Sequence, residues 1–158
     1  MTKQNKNIIY NAKEVAKYFI YLSSKKSVGD NKEKEGITNL KLQKILYFAQ
    51  AYFLAKIGKP LFTDTIEAWE FGPVIPSIYH KLKKYGSNPI IDEKDKSTIS
   101  VEDKEILDKV WEAFGGYSAS RLVDITHVLT PWVEAYNSSK KEISIKAIGE
   151  YYTPLLNK

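Results

Sequence analysis

Asp124 and His127 are the two residues whose spacing comes nearest to a catalytic arrangement. Three positions apart on a helix they share one face, and a carboxylate beside an imidazole orients a general base. The nearest hydroxyls, Ser118 and Ser120, lie two to three turns away, and no Gly-x-Ser-x-Gly elbow supplies a nucleophile. His127 is therefore expected to cap a helix end before Pro131 on backbone carbonyls. Glu67 and Glu70 fall on a short strand, where they point to opposite faces and make no acid–base dyad. Glu102, Asp103, Glu105 and Asp108 occupy the first turns of a helix, where acids complement the dipole. His80, Lys81, Lys83 and Lys84, with Tyr79 and Tyr85, form a basic cluster with aromatic support that suits phosphates. It reads equally well as a solvated helix face, and Lys41 and Lys44 are placed the same way on the exposed side of the central helix. Cysteine is absent and histidine occurs twice, which removes thiol nucleophiles, disulfides and Cys–Zn sites and disfavours a His-rich metal site. There is no phosphate loop or dinucleotide fingerprint. The expectation is a protein without catalytic residues, metal or cofactor.

Binding is the remaining chemistry, and charge gives it a direction. The 158 residues carry a formal net charge of +5. Residues 1–91 hold 15 lysines against 7 acids, a net +8, whereas residues 92–158 hold 9 basic residues against 12 acids, a net −3. The front half is thus the expected docking face for an acidic partner. Arg121 is the one arginine, so the usual reader of guanine edges is nearly missing and nucleic acid is the weaker alternative. No apolar run reaches the roughly 18 residues of a membrane helix, and residues 1–7 lead into no signal-peptide core. A cytoplasmic protein with no membrane contact is expected.

The elements that must position these residues follow from periodicity and caps. Asn11 caps a helix with Val15, Tyr18, Phe19 and Leu22 on one face. Residues 23–34 are a loop by composition. Thr38 caps the next helix. Over residues 40–57 it is apolar around so much of its circumference that it should be central, ending at Gly58. Residues 65–71 alternate and read as a strand. Gly72-Pro73 breaks it, with Pro73 in the first turn of a helix carrying Ile75, Ile78, Tyr79, Leu82 and Tyr85. Ile90-Ile91 reads as a second short strand pairing with the first. Ser100 and Ser118 cap two further helices, and Thr130-Pro131 starts a short one. Residues 143–152 form a last helix closed by Pro154. The predicted fold is mostly α, a compact single-domain bundle of about six or seven helices with a small two- or three-stranded β element. Its core spans about residues 11–137, with 138–158 a helical tail that either packs on the core or docks into a partner.

Three blocks stand out in this frame. They are residues 38–50 (TNLKLQKILYFAQ), residues 66–79 (IEAWEFGPVIPSIY) followed by Lys84-Tyr85-Gly86, and Thr126-His127 followed by Leu129-Thr130-Pro131-Trp132. In order and spacing they resemble the Panacea domain, the SocA-like antitoxin family of bacterial and phage toxin–antitoxin pairs. The resemblance runs from about Ala12 to Tyr136. It rests on Leu42, Lys44, Tyr47, Trp69, Gly72, Pro73, Tyr79, Thr126, His127, Pro131 and Trp132, which are read as structural.

The resemblance implies a compact, mostly helical antitoxin that is not an enzyme and neutralises a toxin encoded beside it. The founding member instead acts as an adaptor that delivers its toxin to the ClpXP protease, which is the alternative. Many relatives add a DNA-binding segment, for which the flanks of the match are short. From the residues themselves, aromatics at a rigid turn are good interface anchors. The expected toxin-binding face is therefore Trp69, Phe71 and Tyr79 with Lys81, Lys83 and Lys84.

Overall fold

Thr38 sets the start of the longest helix. Its side chain accepts from the Lys41 N–H, and Gly58 ends the helix in the left-handed region at φ 87°. The computed structural model describes residues 8–25 and 36–156. Within them, α1 is Ala12–Ser24 and α2 is Asn39–Ile57. Most of α2 is buried, as its all-round apolar sequence requires, and α1, α4 (Val101–Phe114), α5 (Ala119–His127) and α7 (Ile145–Leu156) pack around it. Leu42, Ile45, Leu46 and Tyr47 are wholly buried. Phe48 stacks on Phe114 of α4 at 4.2 Å between centroids.

Four polar residues interrupt this apolar helix and are buried along with Leu42, Leu46 and Leu54: Asn39, Gln43, Lys44 and Gln50. Asn39, Gln43 and Gln50 fall at i, i+4 and i+11, on one face. That face meets the non-helical chain leading to the sheet. Gln50 donates to the Phe62 carbonyl at 2.6 Å and accepts from the Leu61 N–H at 2.8 Å, so one side chain satisfies backbone groups the loop cannot pair itself.

The sheet is an antiparallel hairpin of β1 (Glu67–Trp69) and β2 (Gly72–Val74), in register Glu67 to Val74 and Trp69 to Gly72 across the turn Glu70-Phe71. Residues 141–143 run beside β1: Ala68 N–H donates to Lys141 O at 2.7 Å and Ile143 N–H to Ile66 O at 2.8 Å. One bridge, Glu67 to Glu142, joins them, so the β element stands between two strands and three. Then follow α3 (Pro76–Lys81) and a 3₁₀ turn at Lys83–Tyr85, and later α6 (Thr130–Tyr136). The described residues thus hold seven α-helices and a small hairpin, the mostly α fold expected.

Several local expectations are corrected. Pro73 does not start a helix. Gly72 at φ 101° turns the chain back, Pro73 pairs opposite Ala68 in β2, and the helix waits for Pro76. Ile90 does not pair with β1. It bridges Ile37 through two hydrogen bonds of 3.1 and 2.8 Å, while Ile91 is exposed. Pro154 does not close the last helix but lies inside it, in an exposed last turn where one missing N–H costs little. Ile143 belongs to the strand-like segment, so that helix begins at Ile145. Of the 23–34 loop, Ser23 and Ser24 still belong to α1 and residues 26–34 lie outside the described residues, as do residues 1–7.

The C-terminal segment packs on the core. Ile148 is wholly buried, and Tyr152 shares a 3.1 Å hydrogen bond with Tyr47 of α2. Truncating Ile148 to Ala is expected to lower unfolding stability of the isolated chain by about 2–4 kcal/mol in a denaturant titration. A tail reserved for docking would leave stability unchanged.

Candidate functional site

A two-stranded hairpin of three-residue strands is marginal by itself. Here five side chains from elsewhere hold its backbone and the start of α3. Trp132 Nε1 donates to Trp69 O at 2.9 Å, and His127 Nε2 lies 2.8 Å from Glu70 O. Facing a carbonyl, that ring nitrogen carries the proton. Lys44 Nζ donates to Pro73 O at 3.0 Å, Gln43 Oε1 accepts from the Ile75 N–H at 2.8 Å, and Asn39 Nδ2 donates to Tyr79 O at 3.2 Å. Gln43 Nε2 donates to Asn39 Oδ1 at 2.8 Å and so orients both amides. The segment from Trp69 to Tyr79 is therefore tied to α2, α5 and α6 by its own main chain. The ring of His127 also stacks on Trp132 at 4.3 Å, and Trp132 on Tyr136 at 4.7 Å, which braces the two donors.

Lys44 corrects the placement on an exposed face: its side chain is wholly buried beneath β2. Gly72 makes room for it. A Cβ there would sit 2.8 Å from Lys44 Cε and 2.8 Å from Thr126 Oγ1, and the φ of 101° already demands glycine. Thr126 spends its hydroxyl on Val123 O at 2.9 Å. Burial pushes the Lys44 ammonium down to about 7. Lys41, by contrast, extends to α4 and donates to Gly115 O at 2.6 Å.

His127 is satisfied by a backbone carbonyl, as expected, but the carbonyl belongs to the hairpin turn rather than to the helix end. Asp124 is exposed, and among the described residues no hydrogen bond joins it to His127. Asp103 and Asp108 do more than complement the α4 dipole: they accept from the hydroxyls of Tyr10 and Tyr18. Glu70 lies in the hairpin turn rather than on the strand, and Glu67 accepts from Trp69 Nε1 at 2.8 Å.

Phe71 occupies the tip of the hairpin and is 58% exposed. Beside it opens a groove of about 570 Å³ whose walls include Leu40, Trp69, Phe71, Val74, Tyr79 and Lys83. Trp69 and Tyr79 are half-buried and meet edge to face at 5.1 Å, forming the groove wall while also bracing the hairpin. Of the six expected contact residues, the structure gathers Trp69, Phe71, Tyr79 and Lys83. Lys81 and Lys84 lie across α3, on a separate cleft. Leu40, 38% exposed, joins the groove and was not read as a site residue. Nor were Asn39, Gln43 and Gln50, although three amides on one face of an apolar helix are a legible signal of buried backbone partners.

Residues 42–133 match the family described as "Antitoxin SocA-like, Panacea domain", more than half of the chain, and the chain belongs to that family. Among curated proteins it resembles "Antitoxin SocA" of Caulobacter vibrioides (strain NA1000 / CB15N). The two are 38% identical over 109 residues, covering 61% of this chain and 58% of that protein. The chain thus aligns with somewhat over half the length of that relative. No solved structure matches it. No helix among the described residues is long and apolar enough to cross a membrane.

Lys44 makes stability depend on pH with a definite sign. Between the folded value of about 7 and the ordinary 10.5, the unfolded chain binds a proton that the folded chain does not. Unfolding free energy therefore rises with pH across that window, and below it the full cost of the buried charge is present. The rise should approach about 1.4 kcal/mol per pH unit for one proton. Denaturant titrations from neutral to alkaline pH should show this slope in the native chain and lose it in Lys44→Met.

Proposed function

We propose that this chain is an antitoxin that neutralises a cognate toxin protein by binding it directly, with no catalysis of its own, through the groove beside the hairpin tip. The observation that carries this reading is Phe71, a large aromatic held out to solvent on a turn whose backbone is fixed from three helices. An aromatic anchor on a pre-ordered turn gains buried area without the cost of ordering a loop at the moment of binding. Trp69, Tyr79, Val74 and Leu40 supply an apolar centre, and Lys83 supplies charge at its rim. This arrangement needs a complementary protein surface and no cofactor or metal. Family membership and the relative's description as an antitoxin support the role.

The product of the neighbouring open reading frame is the natural probe. Induced alone it should arrest growth, and co-expression with this chain should relieve the arrest and yield a co-purifying complex. Phe71→Ala should keep the melting temperature, because the ring is mostly exposed, yet weaken toxin binding by about 2 kcal/mol, some thirtyfold in Kd. Unchanged affinity would overturn this placement. Rescue without a stable complex would favour the adaptor reading, delivery of the toxin to ClpXP, over occlusion.

A further inference from the structure

Lys141 is the one non-glycine residue among those described whose backbone lies in the left-handed region, at φ 56°. Lysine bears a strain there that glycine would not, and such strain persists where surrounding contacts over-determine the conformation. Lys141 makes four such contacts. Its N–H donates to Ser138 Oγ at 3.1 Å, and its carbonyl accepts from the Ala68 N–H of β1 at 2.7 Å. Its Nζ donates to Tyr136 O at 2.7 Å and stands over the Tyr136 ring, 4.5 Å from the centroid. The residue is exposed, so burial in the core is not what holds it.

The Tyr136 ring belongs to a stack. Trp132 lies on it at 4.7 Å with 15° between the planes, and His127 lies on Trp132 at 4.3 Å with 25°. Among the described residues His127 and Tyr136 make no ring contact with each other, so the indole is held between them. Members of this column hold three successive residues of the hairpin. The Lys141 carbonyl takes the N–H of Ala68, Trp132 donates to the carbonyl of Trp69, and His127 to the carbonyl of Glu70. The next residue is Phe71. A ring packed face to face cannot turn without its neighbours, so the aim of both donor nitrogens depends on the end of the column that Lys141 closes.

We propose that Lys141 is a positioning residue for the hairpin tip, its ammonium closing the aromatic column and its carbonyl holding β1, so that residue 141 sets where the Phe71 ring is presented. The proposal rests on the reading of Phe71 as the toxin anchor, and Lys141 acts there through Tyr136, Trp132 and His127. An ordinary exposed lysine is a solvated ammonium whose loss changes nothing at residue 71. A simple cap on the α6 carbonyls would be lost with no effect beyond α6. Lys141 differs from both because one residue ties α6 and β1 together beside the turn.

The test is amide hydrogen exchange of the full chain by NMR, read at Ala68 and Gly72 on either side of the tip with α2 amides as the internal reference. Lys141→Gly keeps the left-handed backbone and removes the side chain. It is expected to speed exchange beside the tip by about tenfold relative to α2, the order of one cation–π contact with one hydrogen bond. Lys141→Asn, which also tolerates the left-handed region but carries no cation, should match it. Lys141→Arg, which restores a cation over the ring and a donor to the Tyr136 carbonyl, should return the native rate. Affinity for the product of the neighbouring reading frame should follow, about fivefold weaker with Gly or Asn and native with Arg. Unchanged exchange beside the tip, an equal rise in α2, a native rate in the Asn variant, or failure of Arg to restore it would each overturn the proposal. Faster exchange beside the tip with unchanged affinity would uphold the positioning role and overturn the placement of toxin binding at Phe71.

Discussion

Much of the structure depends on the hydrogen bonds that α2 sends into the chain between Leu61 and Tyr79. That stretch runs through a loop, an eight-residue hairpin and a short helix, none of which can pair all of its own backbone groups. Unsatisfied groups buried against a helix would each cost about 1–3 kcal/mol. Asn39, Gln43 and Gln50 remove that cost from inside an apolar helix. Because each amide is itself wholly or nearly wholly buried, a slip of the loop would strand both partners at once. One register is therefore specified rather than a family of similar packings.

The same logic extends to the hairpin turn, where the donors are Lys44, His127 and Trp132. Lys44 is the costly member, an amine buried beneath a strand, tolerated because its burial favours the neutral form. Gly72 is the geometric condition for it, since any side chain there would collide with the lysine stem and with Thr126. The three sequence blocks, residues 38–50, 66–79 and 126–132, thus meet at one place. They build a rigid support for Glu70-Phe71, the feature on which the proposed binding role rests.

The short helix α3 stands between two surfaces of different character. Tyr79 faces the hairpin groove, while Ile78, Lys81 and Leu82 face the cleft against α1.

What the sequence by itself determined is local. Asn11, Thr38, Ser100 and Ser118 cap helices through their own side chains. The apolar circumference of α2 marked it as central, and the order of the three blocks was enough to show the family resemblance. Each of these signals lies within a few turns of chain, where hydrogen-bond geometry and the 3.6-residue period act directly. Tertiary structure alone decided the rest. Lys44 looked solvated because lysine usually is, and only the carbonyl of Pro73, twenty-nine residues on, makes a buried place for it. Pro73 looked like a helix start because its φ suits one, and only the left-handed turn at Gly72 makes it a strand residue. Ile90 found Ile37 rather than β1, and the lysines around α3 were divided between two faces by the approach of α1. In every such case the deciding partner is distant in sequence, and no local pattern of residue types records which distant backbone will arrive.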